Sequence, residues 1–122
     1  MEYNKIVDGE KLSEEKFRTP SEEFGIMPFW FWNGEMDYDE MEYQLKEYKA
    51  KGIPGIFIHG RFGILNYMGY LSEDWFDRVK FTVEKAREIG LQVWVYDEYN
   101  WPSGTAGNQV QKADPDLTQR YL

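Results

Sequence analysis

Three short apolar runs, separated by two amphipathic segments, place the tightest constraint on how this 122-residue chain can fold. The runs cover residues 26–32, 55–59 and 91–97, and each has the length of a buried strand. Strands that are apolar throughout and alternate with helices are typical of a parallel sheet with right-handed crossover connections. We therefore predict a β-α-β-α-β order and a fold of the α/β class.

The two intervening segments carry the start and stop signals of helices. Asp37 is a candidate N-cap for a helix that runs to about Lys51, and Gly52 follows as its terminating glycine. Ser72 and Gly90 have the same places around the second helix. The predicted core positions are Met41, Leu45 and Tyr48 in the first helix, and Phe76, Val79, Val83 and Ala86 in the second.

Chain length limits the architecture that these elements can complete. A closed (β/α)₈ barrel needs about 250 residues, so three βα units amount to a part of one at most. We predict a polar leader over residues 1–27 that covers one end of the fold, an α/β unit over 28–110, and a tail or short helix over 111–122. An isolated three-stranded sheet would expose apolar edges, which favours self-association.

Charge and cysteine content disfavour several classes of function. The net charge of −8 argues against nucleic acid and anionic membrane surfaces as partners. The absence of cysteine excludes disulfides, thiolate nucleophiles and zinc–sulfur sites. No secretory signal and no membrane-spanning run is visible in the sequence, so the expected location is cytoplasmic.

Polar and aromatic residues follow each apolar run immediately. Those at the three predicted strand ends are Trp32 and Asn33, then His59 and Arg61, then Asp97, Glu98 and Trp101. In parallel α/β folds the carboxyl ends of the strands meet at one edge of the sheet, where ligands bind. We therefore predict one functional site built from these residues.

Strand alternation predicts which of these side chains share a face. Ile56 and Ile58 are expected to lie under the helices, which turns His59 to the opposite side. The same rule places Glu98 beside His59 and leaves Asp97 to brace a loop or helix end. His59 suits a catalytic or a structural role equally. Asp97 and Glu98 form an acidic pair. Either of them could be a general acid or base, a sugar-hydroxyl acceptor, a calcium ligand, or a capping or salt-bridged acid.

Aromatic placement points to sugars as the ligand class. Aromatic residues make up 18% of the chain, and several lie at strand ends. Flat rings beside planar hydrogen-bonding groups suit the C–H faces and hydroxyl edges of sugars. One of Trp30 and Trp32 is expected in the core, whereas Trp101 lies in a loop. Arg61 would either hold a ligand hydroxyl or carboxylate, or pair with a carboxylate of the protein.

Three stretches resemble the start of the catalytic barrel in glycoside hydrolase family 106, whose founding activity is α-L-rhamnosidase. They are PFWFWNG at 28–34, GIFIHGR at 55–61 and YDEYNWPSGTAG at 96–107. The resemblance extends over about residues 24–122. It implies that residues 28–110 are the first three βα units of a TIM barrel, a partial barrel, in a hydrolase that removes terminal sugars with inversion.

The resemblance also implies roles for residues of the predicted site. The family's acid and base glutamates fall on later strands, so this chain alone is expected to be inactive. Glu98 is the candidate catalytic residue, and the candidate substrate-binding residues are Trp32, Asn33, His59, Arg61, Asp97 and Trp101. No metal ligand is assigned and no cofactor is required, although some family members hold calcium, which is the alternative for a full-length protein.

Partners and competing functions follow from the same pattern. The expected partners are a carbohydrate and either the rest of the barrel or a second copy of the chain. A carbohydrate-binding or interaction module without catalysis is the first alternative, and a self-contained flavodoxin-like domain is the second.

Overall fold

The computed structural model describes residues 14–101 and 103–118 and contains a three-stranded parallel sheet in the order β1-β2-β3. The strands are β1 (Phe29–Trp32), β2 (Gly55–Gly60) and β3 (Gln92–Tyr99). The α-helices are α1 (Glu14–Arg18), α2 (Tyr38–Ala50), α3 (Glu73–Ile89) and α4 (Gln109–Ala113). Short 3₁₀ turns lie at Glu22–Phe24, Ile64–Asn66 and Pro115–Leu117. The predicted α/β class and β-α-β-α-β order are confirmed.

Both crossover helices begin and end where the sequence predicts. The Asp37 carboxylate accepts hydrogen bonds from first-turn N–H groups of α2, and the Ser72 hydroxyl does the same for α3. Gly52 and Gly90 follow the helices with φ of 76° and 70°, a conformation that glycine adopts without strain. The predicted core side chains of α2 are confirmed, with Met41 and Leu45 buried and Tyr48 packed against them.

The core-facing stripe of α3 differs from the prediction. Phe76 and Val83 were expected in the core, but both are about half exposed. The predictions for Ala86, which is buried, and for Val79, which packs against the core, are confirmed, and Trp75 is buried in addition. The Trp75 ring packs against the ring of Trp32 in β1, with centroids 4.9 Å apart. Because this large ring enters the core from the first turn, it fixes which side of α3 faces the sheet.

The described part of the leader lies beside the amino end of β2. The Lys49 ammonium of α2 forms an ion pair with the Glu22 carboxylate at 3.0 Å. Gly25 lies against the ring of Pro54, so closely that a β-carbon there would overlap with it. The leader thus contacts both a crossover helix and the residue that precedes β2, while residues 1–13 lie outside the described part.

The register between β2 and β3 changes near their carboxyl ends. Ile58 pairs with Val95, and Gly60 pairs with Tyr99, so two residues of β2 lie opposite four residues of β3. Glu98 and Tyr99 belong to the strand, although the sequence predicted a loop from Glu98 onwards. Such irregularities bend a strand and redirect its side chains.

The two faces of the sheet are both apolar but are covered differently. Four buried side chains pack on the helix side: Trp30, Trp32, Ile56 and Ile58. The other side is formed by Phe29, Phe31, Phe57, Trp94 and Tyr96, whose rings contact one another. We call these five side chains the open aromatic face, because Phe29, Phe31 and Trp94 remain between 43% and 48% exposed.

Candidate functional site

His59 lies at the carboxyl end of β2 and is fully buried. Its ring contacts four aromatic rings, those of Phe29, Phe31, Tyr96 and Trp101. Nε2 lies 3.0 Å from the carbonyl oxygen of Asn100. A carbonyl can only accept, so Nε2 carries the hydrogen and Nδ1 of the neutral ring is an acceptor. That Nδ1 atom is buried and has no hydrogen-bond partner among the described residues.

Burial also determines the charge of this imidazole. Desolvation lowers the pKa of His59 below its ordinary value, the hydrogen bond to the Asn100 carbonyl opposes this shift, and the nearby charge of Arg61 adds to it. His59 is therefore neutral near pH 7. In that state it offers a lone pair at Nδ1 rather than a positive charge.

Arg61 continues from β2 and stacks on aromatic rings. Its guanidinium carbon lies 3.9 Å from the centroid of the Trp101 ring and 5.0 Å from that of Phe31. The backbone N–H of Arg61 donates to the carbonyl oxygen of Trp32, which ties it to β1. Nη1 is buried without a hydrogen-bond partner, and none of the ion pairs within the described ranges includes Arg61. We call His59, Arg61 and Trp101 the strand-end cluster.

Asn100 connects the ends of β2 and β3, and sequence reasoning did not single it out. Its backbone N–H donates to the carbonyl oxygen of Gly60, and its side-chain Oδ1 accepts from the backbone N–H of Phe62. Its φ of 58° lies in the left-handed region, which asparagine tolerates better than most residues. Its position directly after a strand is the sequence signal that could have identified Asn100.

A cleft of about 240 Å³ lies next to Asn100 and is lined by Phe62, Tyr99, Asn100, Trp101, Thr105 and Asn108.

Glu98 is also fully buried, but its carboxylate is surrounded by donors. Oε1 accepts from the backbone N–H groups of Tyr99 at 2.7 Å and Gly107 at 2.5 Å. Oε2 accepts from the backbone N–H groups of Thr105 at 2.6 Å and Ala106 at 2.7 Å. The Thr105 hydroxyl adds a further bond at 3.1 Å. The carboxylate thus holds the loop over residues 105–107, and we call this arrangement the Glu98 anchor.

These donors keep Glu98 ionised. Burial raises the pKa of the carboxyl, but the hydrogen bonds from Tyr99, Gly107 and Thr105 outweigh it, so the pKa is lowered overall. The arrangement favours the structural alternative for Glu98, since a carboxylate with a lowered pKa and occupied oxygens is poorly suited to donate a proton. Its catalytic role stays a prediction.

The acidic pair shows the effect of the altered register. Alternation predicted that Glu98 would join His59 and that Asp97 would brace a loop, but Glu98 braces the loop and Asp97 is exposed. The two additional residues in β3 break the regular pleat on which that prediction depended.

For three other predicted site residues, the structure shows no contact with the side chains of the strand-end cluster within the described ranges. The side chain of Trp32 is fully buried on the helix side, with its ring against those of Trp30 and Trp75. Asn33 is exposed and lines a separate cleft of about 310 Å³ next to β1 and α2. Asp97 forms no ion pair with any residue of the described ranges. Of the predicted set, the structure brings together His59, Arg61 and Trp101.

The residues present do not fit the calcium ion that the resemblance implies for some members. Within the described ranges, no three acidic or histidine side chains converge as a metal-binding group. The oxygens of Glu98 are occupied by N–H donors, which a cation would have to displace.

No protein-family model matches the chain, and no curated protein or solved structure matches it. No helix within residues 14–101 and 103–118 has the length and hydropathy needed to cross a membrane. Function must therefore be inferred from the geometry of the strand-end cluster, together with the resemblance described above.

Proposed function

We propose that this chain forms the first three βα units of a glycoside hydrolase barrel and that its strand-end cluster binds the terminal sugar of the substrate. The resemblance to glycoside hydrolase family 106 suggests α-L-rhamnose as that sugar. The observation that carries the proposal is the strand-end cluster at the carboxyl edge of a parallel sheet. It contains a half-exposed tryptophan, a neutral histidine and an arginine that has no carboxylate partner among the described residues.

The unpartnered atoms of the cluster match the hydrogen-bonding pattern of a sugar hydroxyl. Nη1 of Arg61 can donate to a hydroxyl oxygen, and Nδ1 of His59 can accept the hydroxyl hydrogen. A buried polar atom without a partner costs about 1–3 kcal/mol, so a ligand that satisfies both atoms recovers that cost. The Trp101 ring contacts both side chains, and it must shift for a sugar to reach them.

The open aromatic face supports the barrel part of the proposal. In a TIM barrel the helices cover the outside of the sheet, and the side chains of the other face fill the interior in layers. Here α2 and α3 cover one face, while Phe29, Phe31 and Trp94 remain partly exposed on the other. Further strands would bury this face, and they would also supply the catalytic acid and base. We therefore expect the chain by itself to bind sugar without hydrolysing it.

The test is a titration of the 122-residue chain with methyl α-L-rhamnoside, followed by two-dimensional ¹H–¹⁵N NMR. We expect shifts at the Trp101 indole and at the His59 amide, and we expect Trp101→Ala to weaken binding at least tenfold. Trp94→Ala is the matched control, because this tryptophan is 48% exposed on the open aromatic face and Trp101 is 56% exposed.

Two outcomes would contradict the proposal. One is the absence of binding to the rhamnoside or to any of a panel of monosaccharides. The other is an equal loss of binding in the Trp101→Ala and Trp94→Ala variants, which would place the sugar elsewhere on the sheet. Release of the aryl group from an aryl rhamnoside by the chain alone would refute its expected inactivity.

A further inference from the structure

We infer that the glycan bound at the strand-end cluster carries a carboxylate, as a uronic acid does, and that Arg61 binds this carboxylate. This inference rests on the proposed sugar-binding function, but it assigns an acidic sugar to Arg61 where the family resemblance suggests the neutral sugar rhamnose. Its starting point is the arginine itself, which forms no ion pair with any acidic side chain of residues 14–101 and 103–118.

Other basic side chains of the molecule show that carboxylates are available as partners. Arg18, Lys46, Lys49, Lys51 and Lys85 each form an ion pair with a glutamate. These pairs lie on exposed helix surfaces, where an ion pair contributes little to stability. Arg61 is more buried than most of them, yet its guanidinium contacts only rings and leaves Nη1 without a partner.

Stacking occupies the face of this guanidinium, whereas Nη1 at its edge is buried without a hydrogen-bond partner among the described residues and becomes accessible to a ligand when the Trp101 ring shifts. The face of the group lies over the Trp101 ring at 3.9 Å, and its N–H groups project in the plane of the guanidinium. Two parallel N–H groups of an arginine match the two oxygens of a carboxylate, which makes this pairing both strong and directional. Phe62, whose ring centroid lies 5.9 Å from the guanidinium, and Trp101 also line the cleft of about 240 Å³.

The neighbouring groups select the charge of the ligand. The carboxylate of Glu98 is turned into the N–H groups of residues 105–107, so its negative charge is compensated by those donors. His59 is neutral and adds no second cation. One guanidinium therefore matches a carboxylate with a single negative charge better than a phosphate, which carries more charge and needs more donors.

Three ligands isolate the role of the carboxylate: methyl α-D-galacturonide, its methyl ester, and the neutral methyl α-D-galactoside. They share one ring and differ only at the carbon that carries the acid. In NMR titrations of the full chain, we expect the acid to bind at least tenfold more tightly than the ester or the galactoside.

Variants of Arg61 then connect this preference to the guanidinium. Arg61→Gln should reduce the preference for the acid to less than twofold, while Arg61→Lys should retain a part of it, because lysine keeps the charge and loses the planar fork. Arg18→Gln is the control, since it removes an arginine from an exposed ion pair far along the chain. The ¹H–¹⁵N spectrum of each variant verifies that it is folded.

The possible failures are distinguishable. Equal binding of acid and ester by the unmodified chain would overturn this inference and leave the proposed sugar-binding function standing. A preference for the acid that persists in Arg61→Gln would assign the carboxylate to another residue and would also overturn it. Failure to bind any of the sugars, the rhamnoside included, would overturn the proposed function and this inference with it.

Discussion

The Glu98 anchor and the strand-end cluster lie at the same edge of the sheet, and each is built around a fully buried ionisable side chain. In the anchor, both oxygens of Glu98 accept hydrogen bonds from the protein. In the cluster, His59 uses one nitrogen and Arg61 uses its face, which leaves Nδ1 and Nη1 without partners. Glu98 and His59 are both fully buried, but the two carboxylate oxygens have hydrogen-bond partners, whereas Nδ1 of His59 and Nη1 of Arg61 have none among the described residues.

The difference distinguishes two functions for buried polar groups. A satisfied network fixes a single arrangement of the backbone, and most buried polar groups in proteins are of this kind. A buried polar atom without a hydrogen-bond partner carries a desolvation cost of about 1–3 kcal/mol, and a ligand is one group that can offset this cost. On this comparison Glu98 holds the loop, whereas Nδ1 of His59 and Nη1 of Arg61 are the atoms that the proposed sugar binding would use.

The largest expected effect is on the anchor. Glu98→Gln replaces one accepting oxygen by an NH₂ group that faces N–H donors, and we expect it to lower the free energy of unfolding by about 3 kcal/mol. Asp97→Asn is the control, because Asp97 is exposed, and its effect should stay within about 0.5 kcal/mol. Urea unfolding followed by tryptophan fluorescence measures both. Equal losses in the two variants would remove the distinction between anchor and surface.

A smaller effect on stability is expected when the pH is lowered. The pKa of Glu98 is lower in the folded chain than in the unfolded one, so its stabilisation is present above the unfolded pKa and is lost as the pH falls through the folded pKa. Below about pH 4, the value of an unperturbed glutamate, the stability difference between the unmodified chain and Glu98→Gln should therefore shrink. Thermal melts from about pH 2.5 to about pH 7 test this, because that range extends to both sides of the unperturbed pKa. A constant difference across the range would mean that Glu98 does not titrate as described.

The smallest expected effect concerns His59, the single histidine of the chain. Burial lowers its pKa, so the unfolded chain binds a proton at a higher pH than the folded chain. The stabilising contribution is complete above the unfolded value of about 6.5 and decreases as the pH falls below it. NMR of the imidazole Cε1–H should give a titration midpoint below about 6.5. A midpoint above that value would contradict the lowered pKa of His59.

Patterns of residues close together in sequence predicted the order of strands and helices and three residues of the candidate site. Asp37 and Ser72 cap the helices because their short polar side chains reach the first-turn N–H groups, which is a property of neighbouring residues alone. The meeting of His59, Arg61 and Trp101 follows from parallel strands that all end at one edge. Both features depend only on element order and on residues close together in sequence.

The remaining differences come from long-range packing. The roles of Asp97 and Glu98 depend on two additional residues in β3, and this irregularity arises from pairing with β2 rather than from the β3 sequence itself. The side of α3 that faces the core depends on how the large ring of Trp75 fits against Trp32. Neither partner could be identified from a pattern within one element.

Asn100 has a consequence for how this edge of the molecule responds to change. Its backbone N–H donates to Gly60, its carbonyl accepts from His59, and its side-chain oxygen accepts from Phe62, which follows β2. These hydrogen bonds thereby connect two loops that are separate in sequence. If the Trp101 ring shifts for a sugar, as proposed above, these bonds would couple that shift to the turn after Arg61, and a loop transplanted into another protein without its asparagine would lose that linkage.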